Sequence, residues 1–216
     1  MTITDHALAV LREPSPEILQ WDSMACETAC TAQLLYMHGL LDVPFSRAAL
    51  DRRIGREPGC GDLRSGNLEL LLESGFEIRQ ISPADPYRIV ESMDYVRELW
   101  LKDGDTPEFI AEHLPGIYPG LRARIQCKIE IARRYASRYS HDLRDTTWAD
   151  LEALVDAGYA VSCETESESG NSHQMLVTRR ISADMFEVYE PDCGVTAYDS
   201  GLADCLLSGF VGYRLH

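Results

Sequence analysis

The chain has 216 residues, a formal net charge of -15 and 45% hydrophobic residues. That apolar content supports a core and excludes wholesale disorder, and the length suits one domain, residues 1–216. The acidic balance argues against a nucleic-acid binder, which ordinarily presents a basic face, and suits neutral or basic partners.

Met1–Glu13 carries Asp5, His6 and Glu13 and lacks the basic start and apolar core of a secretory signal. No run of about 18 apolar residues follows anywhere, so neither a transmembrane helix nor a membrane partner is expected. The expected compartment is the cytoplasm, with signal-independent secretion left open. Pro14-Ser15-Pro16 predicts an extended lead-in. Asp22 or Ser23 can cap a helix running to about His38, which Gly39 ends. Ser46 caps a second helix through Ile54, and the glycines between Gly55 and Asp62 predict a turn-rich loop. Ser65 to Ser74 reads as a helix with Leu68, Leu71 and Leu72 on one face, stopped by Gly75. Phe76 to Ile81 alternates as a half-buried strand.

The middle, about 83–146, reads as a helical insertion. Its helical patterns lie near Tyr87–Leu101, Pro107–His113 and Gly120–Tyr139. The last of them, about 120–138, carries Arg122, Arg124, Lys128, Arg133, Arg134 and Arg138, a basic island in an acidic chain. The plain reading is a solvated face; the sharper one is a docking surface for an acidic partner or substrate. Thr147 and Asp150 have capping-box spacing ahead of a helix that ends at Gly158. Tyr159–Cys163, Ser172–Arg179, Asp184–Tyr189, Val195–Tyr198 and Phe210–Leu215 read as strands. An acidic loop over 164–171 separates the first two. The expected class is α+β, with helices in front and an antiparallel sheet behind.

The seven cysteines, Cys26, Cys30, Cys60, Cys127, Cys163, Cys193 and Cys205, are odd in number and scattered, so reduced thiols are expected. No CxxC pair occurs, and no metal or organic cofactor is expected. Cys26 stands at the start of an apolar helix, where unpaired N–H groups favour a thiolate. Gln20, just upstream, can donate to the oxygen that becomes negative when a carbonyl is attacked. His173, at the start of an apolar strand, can act as base or pair with the thiolate. His6, His38, His113, His141 and His216 keep the plainer reading of solvated or hydrogen-bonded residues. A carboxylate after the next strand, Glu190 or Asp192, can accept the second imidazole N–H, and Glu190 is favoured. Cys30 reads as a core residue, with a metal site shared with Cys26 as the lesser reading. Cys193 neighbours the site. Trp21 either walls the cleft or packs. Tyr118-Pro119-Gly120 and the loop 164–171 are candidate lids.

The segment Gln20…Cys26…Ala29-Cys30, with Gly39 closing its helix, resembles the opening of the C39-like cysteine peptidases. Their pattern is a glutamine, five residues, then Cys-Gly-x-Ala-Cys. Gly66 to Ile81, and Trp148 through Gly158, His173 and Glu190-Pro191-Asp192-Cys193-Gly194, resemble the family's later helix, strand and turn. A related group named for a guanylyl cyclase domain carries a comparable helical insertion. The resemblance implies a papain-like fold and a thiol hydrolase acting on a peptide or amide substrate. It implies Cys26 as nucleophile, His173 as base, Gln20 with the Cys26 N–H as oxyanion donors, and Glu190, alternatively Asp192, as third member. An acyl or aminoacyl transferase on the same site is the second reading. A binding module that has lost the chemistry is the third, because Glu27 stands where the family has glycine. A carboxylate there opposes thiolate formation.

Overall fold

The computed structural model describes residues 11–60, 65–166, 172–199 and 206–215. In chain order the elements are α1 (Cys26–Met37), α2 (Arg47–Ile54), α3 (Gly66–Glu73), β1 (Phe76–Ser82), α4 (Pro86–Glu91), α5 (Met93–Lys102) and α6 (Pro107–Arg134). After these come β2 (Tyr139–Leu143), α7 (Trp148–Asp156), β3 (Ala160–Glu166), β4 (Ser172–Ser182), β5 (Met185–Glu190), β6 (Gly194–Asp199) and β7 (Leu206–Leu215). All the strands join one sheet in the order β2-β1-β7-β3-β4-β5-β6.

Alternation along the strands supplies both faces of that sheet. Val161, Val177, Phe186 and Val188 pack with Leu151, Leu154 and Val155 of α7. Their neighbours Ala160, Leu176 and Tyr189 pack with Ala29 and Leu34 of α1 and Leu71 and Leu72 of α3. Helices therefore cover the sheet from both sides. The local signals act as their chemistry requires. Ser46 Oγ accepts from Ala49 N at 3.2 Å at the start of α2, and Gly55 takes the left-handed conformation at its end. Thr147 N donates to Asp150 Oδ2 at 2.8 Å, completing the capping box of α7.

Three expectations are corrected. First, the sheet is mixed, because β2 pairs with β1 in parallel. A parallel pair needs a long crossover, and the segment carrying α4 to α6 supplies it. Tyr139 and Leu143 are spaced four apart, which suits a helix face as well as one face of a strand, so β2 is hidden in the sequence pattern. Second, the helical patterns at 107–113 and 120–139 belong mostly to one helix, α6, which continues through Pro115 and Pro119. Each proline removes a backbone donor. The helix is held instead by its own small core, where Ile110 and Leu114 pack with Ile89, Tyr95 and Val96. Third, Tyr118-Pro119-Gly120 is helix and no lid. The Tyr118 hydroxyl donates to the Ile89 carbonyl at 3.0 Å, fastening α6 to α4. In the other candidate lid, 164–166 belong to β3, while 167–171 lie outside the described residues. Cys205, His6 and His216 also lie outside them. Among the described residues no helix is long and apolar enough to cross a membrane.

Candidate active site

The site forms where the N-terminus of α1 meets one end of the β4–β5 hairpin. Residues ahead of α1 are strapped to that hairpin. The buried Tyr189 hydroxyl donates to the Ile18 carbonyl at 2.7 Å, and Gln20 N donates to the Pro191 carbonyl at 2.8 Å. Asp22 does not cap α1. Its Oδ1 accepts from Met24 N at 2.9 Å, an Asx turn that closes before the helix begins. Ala25 bounds the helix and no side chain caps it, so the positive end of the helix dipole is presented at Cys26.

A buried cation fixes this approach. The Arg56 guanidinium has no exposed side-chain surface; it pairs with Asp22 and, at 2.8 Å, with Asp51. Asp51 also accepts from Trp21 Nε1 at 3.1 Å. Burial pushes the Asp22 carboxyl up, but hydrogen bonds from Arg56 and from the Met24 and Gly59 N–H groups outweigh it and hold the group below its ordinary value. Trp21 thus packs, edge-on against Phe45. Arg56 carries no pattern that sequence reading could single out. A lone arginine in a glycine-rich loop of an acidic chain looks solvated.

Leu176 pairs with Tyr189 across the β4–β5 ladder, which brings His173 and Glu190 to the same end of the hairpin. His173 Nε2 is hydrogen-bonded to Glu190 Oε1, and both side chains are largely buried. Interaction with Cys26 first, and with Glu190 second, overcomes burial and raises the His173 imidazole to about 10. Asp192 lies further out, 4.0 Å from His173 Nε2, with 57% of its side chain exposed. The structure gives Asp192 a different neighbour: Gln20 Nε2 donates to its Oδ1. The Gln20 amide is thereby oriented, with Oε1 buried and, among the described residues, without a partner. Cys26, His173 and Glu190 are thus brought together, and Gln20 and Asp192 form a second pair beside them.

The neighbouring thiols differ. Cys30 is buried in the core, its Sγ 3.8 Å from the Gln174 carbonyl, and burial holds it well above the ordinary thiol value. Cys163 is pushed up to about 12 by burial. Cys193 is exposed and raised modestly, by burial and then by Glu190 and Asp192. His173, Glu190 and Asp192 place one ligand atom each within 4.8 Å of one another, the one such grouping among the described residues. They are the residues that would hold a divalent cation, at the cost of the His173–Glu190 contact.

Glu27 and Gln174, chain neighbours of Cys26 and His173, line a cleft of about 360 Å³ that runs beneath α6. Lys128 of α6 lines it too, as do Arg124 and Glu164. Burial pushes the Lys128 amine down to about 8 and Arg124 adds to this, while Glu27 and Glu164 work against it. The charge of Glu27, which alone would oppose a thiolate, is therefore met by a cation across the cleft. The rest of the basic island is dispersed. Arg134 pairs with Glu69, and Arg133 and Arg138 lie over the Tyr87 and Tyr135 rings.

No family model matches the chain, and no curated protein matches it. A solved structure is similar in outline: a double glycine motif protease from an AMS/PCAT transporter, in complex with the leader peptide. The identity is 10%, the TM-score is 0.45, and the overlap covers 95% of this chain and 94% of that one. At those values the site has to be argued from its own geometry.

Two outcomes follow from that geometry. With iodoacetamide at pH 8 and no denaturant, peptide mapping should find Cys26 modified while Cys30 and Cys163 stay unmodified; modification of Cys30 at the rate of Cys26 would contradict the placement. Arg56→Met, which strands two carboxylates, should lower stability to urea by about 3 kcal/mol. Arg53→Met, which breaks an exposed pair with Glu73, should cost less than about 1 kcal/mol. Equal losses would remove Arg56 from its organising role.

Proposed function

We propose that the chain is a thiol hydrolase of peptide or amide bonds, organised as a papain-like, C39-like cysteine peptidase in which residues 83–146 are an insertion. The observation that supports this most strongly is the position of His173 between Cys26 and Glu190, where its imidazole is raised to about 10. An imidazole at that value is cationic at neutral pH and stands ready to pair with a thiolate. Glu190 engages Nε2, which leaves Nδ1 for the sulfur and fixes the ring orientation.

The proposed course begins with attack of the Cys26 thiolate on the carbonyl carbon, moving an electron pair onto oxygen. The Cys26 N–H and the Gln20 amide stabilise that oxygen. An amide nitrogen carries two protons; Asp192 accepts one and orients the other. Collapse of the adduct breaks the C–N bond, and His173 gives its proton to the departing amine. Neutral His173 then takes a proton from water as the water oxygen attacks the thioester, and the acid and the thiolate are released. An amine in place of water would give transfer by the same route.

The test is a pH profile on fluorogenic peptide amides. Cys26→Ala should abolish turnover, and His173→Ala should lower kcat/KM by about 10²–10⁴-fold. The alkaline limb reports loss of the imidazolium proton. Because Glu190 raises that value, Glu190→Gln should move the limb to lower pH. A limb that stays in place would remove Glu190 from the site, and turnover surviving in Cys26→Ala would overturn the whole reading.

A further inference from the structure

Beyond the cleft lies a second space. A cavity of about 350 Å³ opens between α4, α6 and β2, walled by apolar side chains that include Ile89, Ile125, Ile129, Ala132 and Leu143. That volume is in the range of ordinary small-molecule sites. Gln80, Ala84, Ile89, Ile125, Lys128 and Tyr139 line both this cavity and the cleft, so the two adjoin, with Lys128 between them.

The charge of the lining is unusual for this chain. Asp and Glu outnumber Lys and Arg by 35 to 20 in the sequence. Yet, among the described residues, the charged side chains lining the cavity are Lys128 and Arg133, with no Asp or Glu. His141 also lines it; its Nε2 lies 2.9 Å from Ser82 Oγ, and burial first, then Lys128, lower its value and keep it neutral at pH 7. Arg133 lies over the Tyr87 ring, 5.4 Å from its centroid, at the cavity wall. A half-buried ammonium in apolar surroundings gains from an anion beside it. The carboxylates of Glu27 and Glu164 act on Lys128 from the cleft side alone.

We propose that this cavity binds an anionic amphiphile, a hydrocarbon chain ending in a carboxylate, with the chain against Ile89, Ile125 and Ile129 and the carboxylate at Lys128. The apolar walls give the chain a surface on which it leaves water. The two cations select the charged head over an uncharged one. Lys128 is shared with the cleft, but the proposed occupancy does not depend on a working thiol at Cys26.

Dodecanoate, titrated calorimetrically into the full chain below its micelle threshold, tests the proposal. Saturable one-to-one binding is expected, with dodecanol, the same chain without the charge, at least tenfold weaker. Lys128→Met keeps the apolar stem and should weaken dodecanoate at least tenfold. Ala132→Trp should block binding by filling the cavity, and Cys26→Ala should leave it unchanged. Equal affinity for dodecanol, unaltered binding in Lys128→Met, or no saturable binding would each overturn the proposal. If circular dichroism shows Lys128→Met unfolded, the dodecanoate–dodecanol ratio on the wild type decides alone.

Discussion

A guanidinium buried between two carboxylates holds the front of this molecule in place. Arg56 joins Asp22, in the strap ahead of α1, to Asp51 on α2. The strap itself is tied to the far end of the sheet by the Tyr189 hydroxyl and the Pro191 carbonyl. A side chain at the start of a helix and another at the end of a strand come from opposite ends of the chain. They face each other here because both ends of the strap are fixed by buried hydrogen bonds, each of which is costly to break in a low-dielectric setting. Asp51 takes Nη1 and Asp22 takes Nη2, while Nε is buried without a partner among the described residues, so losing either acid strands a further buried donor.

The electrostatics of the site follow from that arrangement. Glu27 follows Cys26 in the chain, and Glu190 and Asp192 lie beside His173. Two cations answer them. Cys26 and Glu190 raise the His173 imidazole to about 10. Lys128 reaches the same cleft from α6, a helix that belongs to the central segment. That segment therefore sets a cation against Glu27, the chain neighbour of Cys26, as well as covering the sheet. Its long crossover also adds β2 to the sheet edge, so the front half, the central segment and the C-terminal strands share one hydrogen-bonded frame.

Much of this was legible in the sequence because the signals were local. Ser46, Gly55, Gly75 and the Thr147–Asp150 pair mark element ends by chemistry that needs no tertiary context. The strands from Ala160 onward were readable from alternation, and β4 with β5 places His173 and Glu190 together once paired. The failures have a common cause, which is tertiary override of a local rule. Pro115 and Pro119 break helices in isolation, yet α6 persists because Ile110 and Leu114 are anchored on α4 and α5. Tyr139 and Leu143 fit either period, and only the open edge of β1 decides for a strand. Asp22 or Ser23 is expected to cap α1, but Ala25 bounds the helix with no side-chain cap, and Asp22 turns back on Met24 and toward Arg56. Neither Arg56 nor the inward turn of Lys128 had any local signature.

The central claim is that Cys26 and His173 act as one unit. Labelling by an electrophilic activity probe, followed by intact-mass and peptide analysis, tests it most directly. Wild type should label at Cys26 rapidly and stoichiometrically at pH 7, and His173→Ala should label there far more slowly while keeping its fold by circular dichroism. Equal, slow labelling of the two proteins would contradict the claim and leave a binding module in its place.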